Sequence, residues 1–73
     1  MKEKELTNLL IKIGAKVKLE RSKKNLSQFE LGLEIGKSAN QIGRIERAET
    51  NPTVETLLDL ANFFRIDLKD LIE

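Results

Sequence analysis

Cysteine and histidine are both missing from this 73-residue chain. Their absence removes the usual zinc sites, thiol chemistry and histidine general bases, so neither an enzyme nor a metal or cofactor protein is expected. Long hydrophobic runs are missing as well. Lys12, Lys16 and Lys18 interrupt the one early apolar segment, well short of the roughly 18 apolar residues a membrane span needs, and no signal-peptide pattern precedes it. These absences lead to the expectation of a soluble, cytoplasmic chain with no membrane contact and no evident small-molecule substrate. The length leads to a single domain over residues 1–73, in the range where one helical core just sustains folding.

Net charge is also small, +1, but its distribution is uneven. From Lys12 to Arg47 nine basic residues face four acidic ones, whereas from Ala48 onward two face six. Such polarity suits a molecule that turns one end toward a polyanion, although an ordinary mixed surface is the plainer alternative.

What is present is helical periodicity. Leu6, Leu9, Leu10, Ile13 and Val17 recur at spacings of three and four, which predicts an amphipathic helix over about Glu5 to Lys24. Asn25 tolerates the left-handed backbone that ends such a helix, and Leu26 covers the joint. Ser27 with Glu30, and Ser38 with Gln41, form two capping boxes that open two short helices. Gly36 ends the first of these, and Leu31, Ile35, Ile42 and Ile45 supply their apolar stripes. Pro52 is the only proline. It precedes Thr53, an N-cap for a fourth helix striped by Val54, Leu57, Leu60, Ala61 and Phe64. Asp67 is expected to cap a last helix carrying Leu68, Leu71 and Ile72. No strand-like alternation or repeat appears, and the expected fold is all-α with five helices.

Within this array residues 28–47 stand out. Gly32 is placed where two steeply crossing helices approach, Gly36 where a tight turn needs positive φ, and four apolar residues converge on one core, the spacing of a helix-turn-helix. An arbitrary helical hairpin is the alternative.

The runs Leu26–Leu31, Ile42–Arg47 and Asn51–Leu57 resemble the lambdoid repressor and Cro family, also called XRE, over roughly Ile13 to Ile72. The resemblance implies a compact five-helix, lambda-repressor-like domain whose third helix enters the major groove of double-stranded DNA, usually as a homodimer on a two-fold operator. Lys37 departs from the apolar residue that the family prefers after the turn glycine. Ala48 and Arg65 stand where the family usually or often has glycine.

On a helical wheel, Ile42 and Ile45 face inward and Ala39, Asn40, Gly43, Arg44 and Arg47 lie on the other side. Asn pairs bidentately with adenine and Arg with guanine, and an alanine methyl meets a thymine methyl, so Asn40 and Arg44 are the leading candidate base readers, with Ala39 beside them. Gly43 would admit the helix deep into the groove. The alternatives are a plain surface role for Asn40 and a surface salt bridge for Arg44. Gln28, which the resemblance makes the typical phosphate and base-edge contact, opens helix 2, where backbone N–H groups also face a phosphate. Ser38 has the same opportunity, secondary to capping. Arg47 and Asn51, with Lys37 and Lys23, are candidate phosphate contacts, a solvated role being the alternative for the lysines. The resemblance further implies a structural ion pair between Arg21 and Glu46, with a phosphate contact the other possibility for Arg21. Leu58, Phe63, Leu68 and Ile72 exceed what the fourth stripe needs and form a candidate dimer face, or else additional core. The expected function is a sequence-specific regulator, a repressor acting as a homodimer; the competing reading is a protein-interaction module on the same fold, such as the DNA-binding partner of a toxin–antitoxin pair or an adaptor using helices 4 and 5.

Overall fold

The computed structural model describes residues 2–73, which form α1 (Glu3–Lys23), α2 (Gln28–Ile35), α3 (Ala39–Glu46), α4 (Val54–Phe64) and α5 (Leu68–Ile72). The first helix starts two residues earlier than periodicity predicts. Its opening turn carries Glu3 and Glu5, whose charges favour the helix N-terminus, while the apolar stripe begins only at Leu6. Both capping boxes are complete. Ser27 accepts from the Glu30 N–H and Ser38 from the Gln41 N–H, and the N3 side chain reaches back in each case. Thr53 caps α4 through the Thr56 N–H at 3.1 Å. Asp67 precedes α5 as expected but makes no side-chain cap bond.

The four longer helices end alike. A residue with positive φ follows each: Asn25 (57°), Gly36 (73°), Ala48 (59°) and Arg65 (58°). The next N–H then donates back to a carbonyl in the last turn: Leu26 to Arg21 at 3.2 Å, Lys37 to Gly32 at 2.8 Å, Glu49 to Arg44 at 2.8 Å and Ile66 to Ala61 at 3.0 Å. This is the six-to-one bond of a Schellman motif. Ala48 and Arg65 therefore hold, at a steric cost, the conformation that glycine adopts freely at the family's positions.

One core joins all five helices: Ile13, Val17, Leu31, Ile42, Ile45, Leu60, Ala61, Phe64 and Leu71 are buried. Leu9, Ile35 and Leu57 are partly buried against it. Val54 departs from the predicted stripe, pointing outward at 65% exposure. Gly32 also has a different neighbour from the one anticipated. A side chain there would strike the Lys37 carbonyl in the turn rather than α3. The close approach that places the third helix is at Gly14, where a Cβ would sit 2.5 Å from the Glu46 carbonyl and 2.7 Å from that of Ile45. The long first helix thereby rests directly on the C-terminal backbone of α3. Among the described residues no helix is long and apolar enough to cross a membrane.

Candidate nucleic-acid interface

Helix α3 is eight residues long, and burial divides it cleanly. Ile42 and Ile45 are in the core, while Asn40, Gln41 and Arg44, with Arg47 just beyond the last turn, are exposed and Ala39 is half-buried. Asn40 and Arg44 thus project from one side of a short, capped helix, with the side-chain types that read adenine and guanine edges. Arg44 Nη2 lies 3.5 Å from the Glu49 carbonyl oxygen, a contact too long to hold it.

Gly43 sits differently from its sequence reading. It is buried, not open at the groove, because the side chains of Gln28 and Arg47 lie across it. A Cβ would come within 2.7 Å of Arg47 Nη1 and 3.2 Å of Gln28 Oε1. The missing side chain therefore lets these two polar groups bridge the helix surface between α2 and α3.

Behind that surface lies a closed ionic network. Arg21 donates from Nε to Glu46 Oε2 at 2.6 Å and from Nη2 to Glu46 Oε1 at 3.0 Å. Its third nitrogen, Nη1, donates to the Leu26 carbonyl at 2.7 Å. Gln28 Nε2 completes the set with a 3.0 Å bond to Glu46 Oε1. The two ionic side chains are only 14% and 3% exposed. Bonding to Glu46 raises the Arg21 guanidinium above its ordinary range, against the opposing effect of burial. Arg21 thus ties α1, the α1–α2 joint and the end of α3 together, which fixes the angle of α3. Gln28, read from the sequence as a phosphate contact, uses one end of its amide in this network and keeps the other over Gly43.

The remaining candidates separate into two places. Lys37, Arg44 and Asn51 line one cleft of about 190 Å³ together with Gln41 and Thr50, between α3 and the segment leading to α4. Two cations and three neutral polar groups there offer a flanking phosphate several donors at once. Lys23, by contrast, is on α1, where its Nζ donates to Glu20 at 3.1 Å. Ser38 is exposed and its hydroxyl is engaged as the cap of α3.

Glu20, missed from the sequence, is a buried carboxylate. Burial pushes its pKa up, but hydrogen bonds and charge from Lys23 and Lys16 outweigh that and leave it lowered. Glu49 was missed too. Arg47 donates to it from Nε at 2.9 Å and from Nη2 at 3.2 Å.

The four dimer-face candidates do not form one surface. Leu58 is exposed, whereas Phe63 and Ile72 are partly buried against the protein's own core and Leu68 is half-buried. Lys24 Nζ covers the Phe63 ring at 5.5 Å from its centroid. Five residues at 100° each put Leu58 and Phe63 about 140° apart around α4. The exposed neighbour of Leu58 is Val54, one turn earlier.

A family model described as helix-turn-helix matches residues 17–71. The solved structure of the restriction-modification controller protein C.AhdI from Aeromonas hydrophila is similar, with a TM-score of 0.79 and 31% sequence identity over 85% of this chain and 94% of that one. No curated protein sequence matches the chain.

Proposed function

The chain belongs to the XRE-type helix-turn-helix family of DNA-binding regulators, and from that premise we propose that it is a sequence-specific transcriptional regulator that binds a two-fold operator as a homodimer and represses by occupying it. One observation carries the reading. Asn40, Arg44 and Arg47 share the exposed side of a helix whose angle is set by the Arg21–Glu46–Gln28 network and by the Gly14 contact. A helix held in place in this way presents side chains of these types to base edges and phosphates with no ordering cost for its own backbone. Ala39 and Asn40 with Arg44 read bases. Arg47, Lys37, Asn51 and Ser38 contact backbone phosphates, and Gln28 joins them through the second N–H of Nε2, the first being held by Glu46.

Similarity to a restriction-modification controller favours the same context here, control of genes for a restriction-modification pair. The alternative of a protein-interaction module using α4 and α5 has less support, because of the four apolar residues singled out there only Leu58 is exposed.

Selection of bound sequences from random duplex DNA tests the proposal. The expected product is a pair of inverted half-sites whose centres are about one helical turn, 34 Å, apart. Absence of any enriched sequence, with binding indifferent to salt, would refute it.

A further inference from the structure

We propose that Glu49 is an intramolecular counterion that occupies the guanidinium fork of Arg47 until a nucleic-acid phosphate displaces it, and so limits how tightly the protein holds DNA of arbitrary sequence. The inference rests on the reading of α3 as the DNA-facing helix and adds a residue that weakens binding to those that promote it.

The geometry is specific. Two N–H groups of Arg47 meet the two carboxylate oxygens of Glu49 at 2.9 and 3.2 Å, the same parallel fork with which arginine grips a phosphate. Carboxylate and phosphate therefore compete for the same two donors. The pairing is arranged by the backbone. Positive φ at Ala48 turns the chain so that the Glu49 N–H returns to the Arg44 carbonyl at 2.8 Å, which sets the Glu49 side chain beside Arg47. Arg44 leans toward the same residue, its Nη2 3.5 Å from the Glu49 carbonyl. Both exposed arginines of the interface thus lie near Glu49, but only Arg47 pairs with its carboxylate.

Exposure distinguishes this pair from the structural one. Arg47 and Glu49 are 53% and 49% exposed, against 14% and 3% for Arg21 and Glu46. A half-solvated pair is weak and separates readily, as a displaceable counterion must. Bonds from Arg47 hold the Glu49 carboxyl below its ordinary range, in keeping with a charged partner. Once displaced, Glu49 is left as a negative charge close to the DNA backbone, which penalises contact with any sequence alike and leaves discrimination to the base readers.

The test is an anisotropy titration of a labelled random-sequence duplex at several salt concentrations, with the native protein, Glu49→Gln, Arg47→Ala, the double variant and Glu5→Gln. Glu5, in the first turn of α1 and about 14 Å along that helix from the Gly14 contact with the end of α3, is a charge-matched control more than one Debye length away at ordinary ionic strength. Glu49→Gln is expected to bind about two- to five-fold tighter, with a log affinity against log salt slope steeper by up to about one unit. The gain should shrink in the Arg47→Ala background to the part that repulsion by the Glu49 charge alone supplies, and Glu5→Gln should match the native chain. An equal gain without Arg47, or no difference between Glu49→Gln and Glu5→Gln, overturns the proposal alone. Salt-independent binding by the native protein, or unchanged affinity in Arg47→Ala, overturns the interface reading and this inference with it. Thermal unfolding followed by circular dichroism verifies that each variant folds.

Discussion

Single side chains on α3 and at its end have separable tasks, because what each can reach depends on its position and its ties. Arg44 is exposed and only loosely held, which on the proposed reading lets it extend to a guanine edge; Arg47 lies past the last turn, where the same proposal gives it a phosphate. Arg44→Ala should therefore cost about 1 to 3 kcal/mol on the selected operator and flatten preference at one base pair per half-site. Arg47→Ala should weaken operator and random DNA by similar factors. A repeat selection checks the split: an unchanged consensus for Arg44→Ala and an altered one for Arg47→Ala would reverse the assignment. Buried Glu20 carries a different expectation. Its folded-state pKa lies below the ordinary carboxylate value of 4.5, so its contribution to stability is complete above about pH 4.5 and is lost as pH falls through the lowered folded value. Glu20→Gln should flatten the acid limb of the stability profile measured by denaturant unfolding between pH 3 and 6, with little change in its slope above that window.

At the scale of elements, the ends of helices were more legible than their packing. Ser27, Ser38 and Thr53 declare their caps through chemistry that acts within three residues, and Asn25 and Gly36 do the same for the stops. Ala48 and Arg65 were legible only as departures from the family's glycines, since nothing in an alanine or an arginine announces positive φ. The observed φ of 59° at Ala48 leads to a direct expectation. Ala48→Gly should stabilise the fold by about 0.5 to 1 kcal/mol, the relief of left-handed strain being partly offset by glycine's greater freedom when unfolded. That corresponds to a rise of several degrees in Tm for a chain of this size; a lower Tm would show that Ala48 is not strained. Gly14 was illegible for a different reason, because its role depends on backbone carbonyls some thirty residues away. The tie between Arg21 and Glu46 is likewise long-range and could be expected only from resemblance. With both side chains mostly buried, Arg21→Ala and Glu46→Ala should each cost about 3 kcal/mol, and the double variant less than their sum. Strict additivity in urea unfolding would mean that the two act independently.

For the whole molecule, charge and exposure together constrain how two copies could meet. Eleven of the thirteen basic residues precede Ala48, whereas the acidic ones divide six and six, so a dimer that presents both α3 helices to one DNA face is expected to join through the net-acidic C-terminal part. Within that part, Val54 and Leu58 are the exposed apolar pair, one turn apart on α4, with exposed Glu55 and Asp59 beside them. Phe63 was a reasonable candidate from the sequence, but its ring packs against the core and lies beneath Lys24, information that helical periodicity does not contain. A two-fold contact through Val54 and Leu58 would bring each copy's Glu55 and Asp59 near their symmetry mates. Repulsion between like charges weakens as salt screens it, and apolar burial does not depend on it. Pairing should therefore tighten as salt rises from about 0.05 to 0.5 M, over a range in which DNA affinity falls steeply through counterion release. Operator binding by the proposed dimer, which would require both, should show its steepest salt dependence where the protein is already fully paired. Leu58→Glu places a further like charge in the contact and should shift sedimentation toward the monomer while leaving thermal unfolding nearly unchanged, since Leu58 is 43% exposed and lies outside the core. Its operator affinity should fall by at least tenfold, with affinity for random DNA less affected because one α3 helix suffices there. Sedimentation equilibrium of the native protein and of Leu58→Glu across the salt series decides the matter: dissociation that increases with salt, or a variant that pairs as well as the native chain, would move the two-fold axis away from α4.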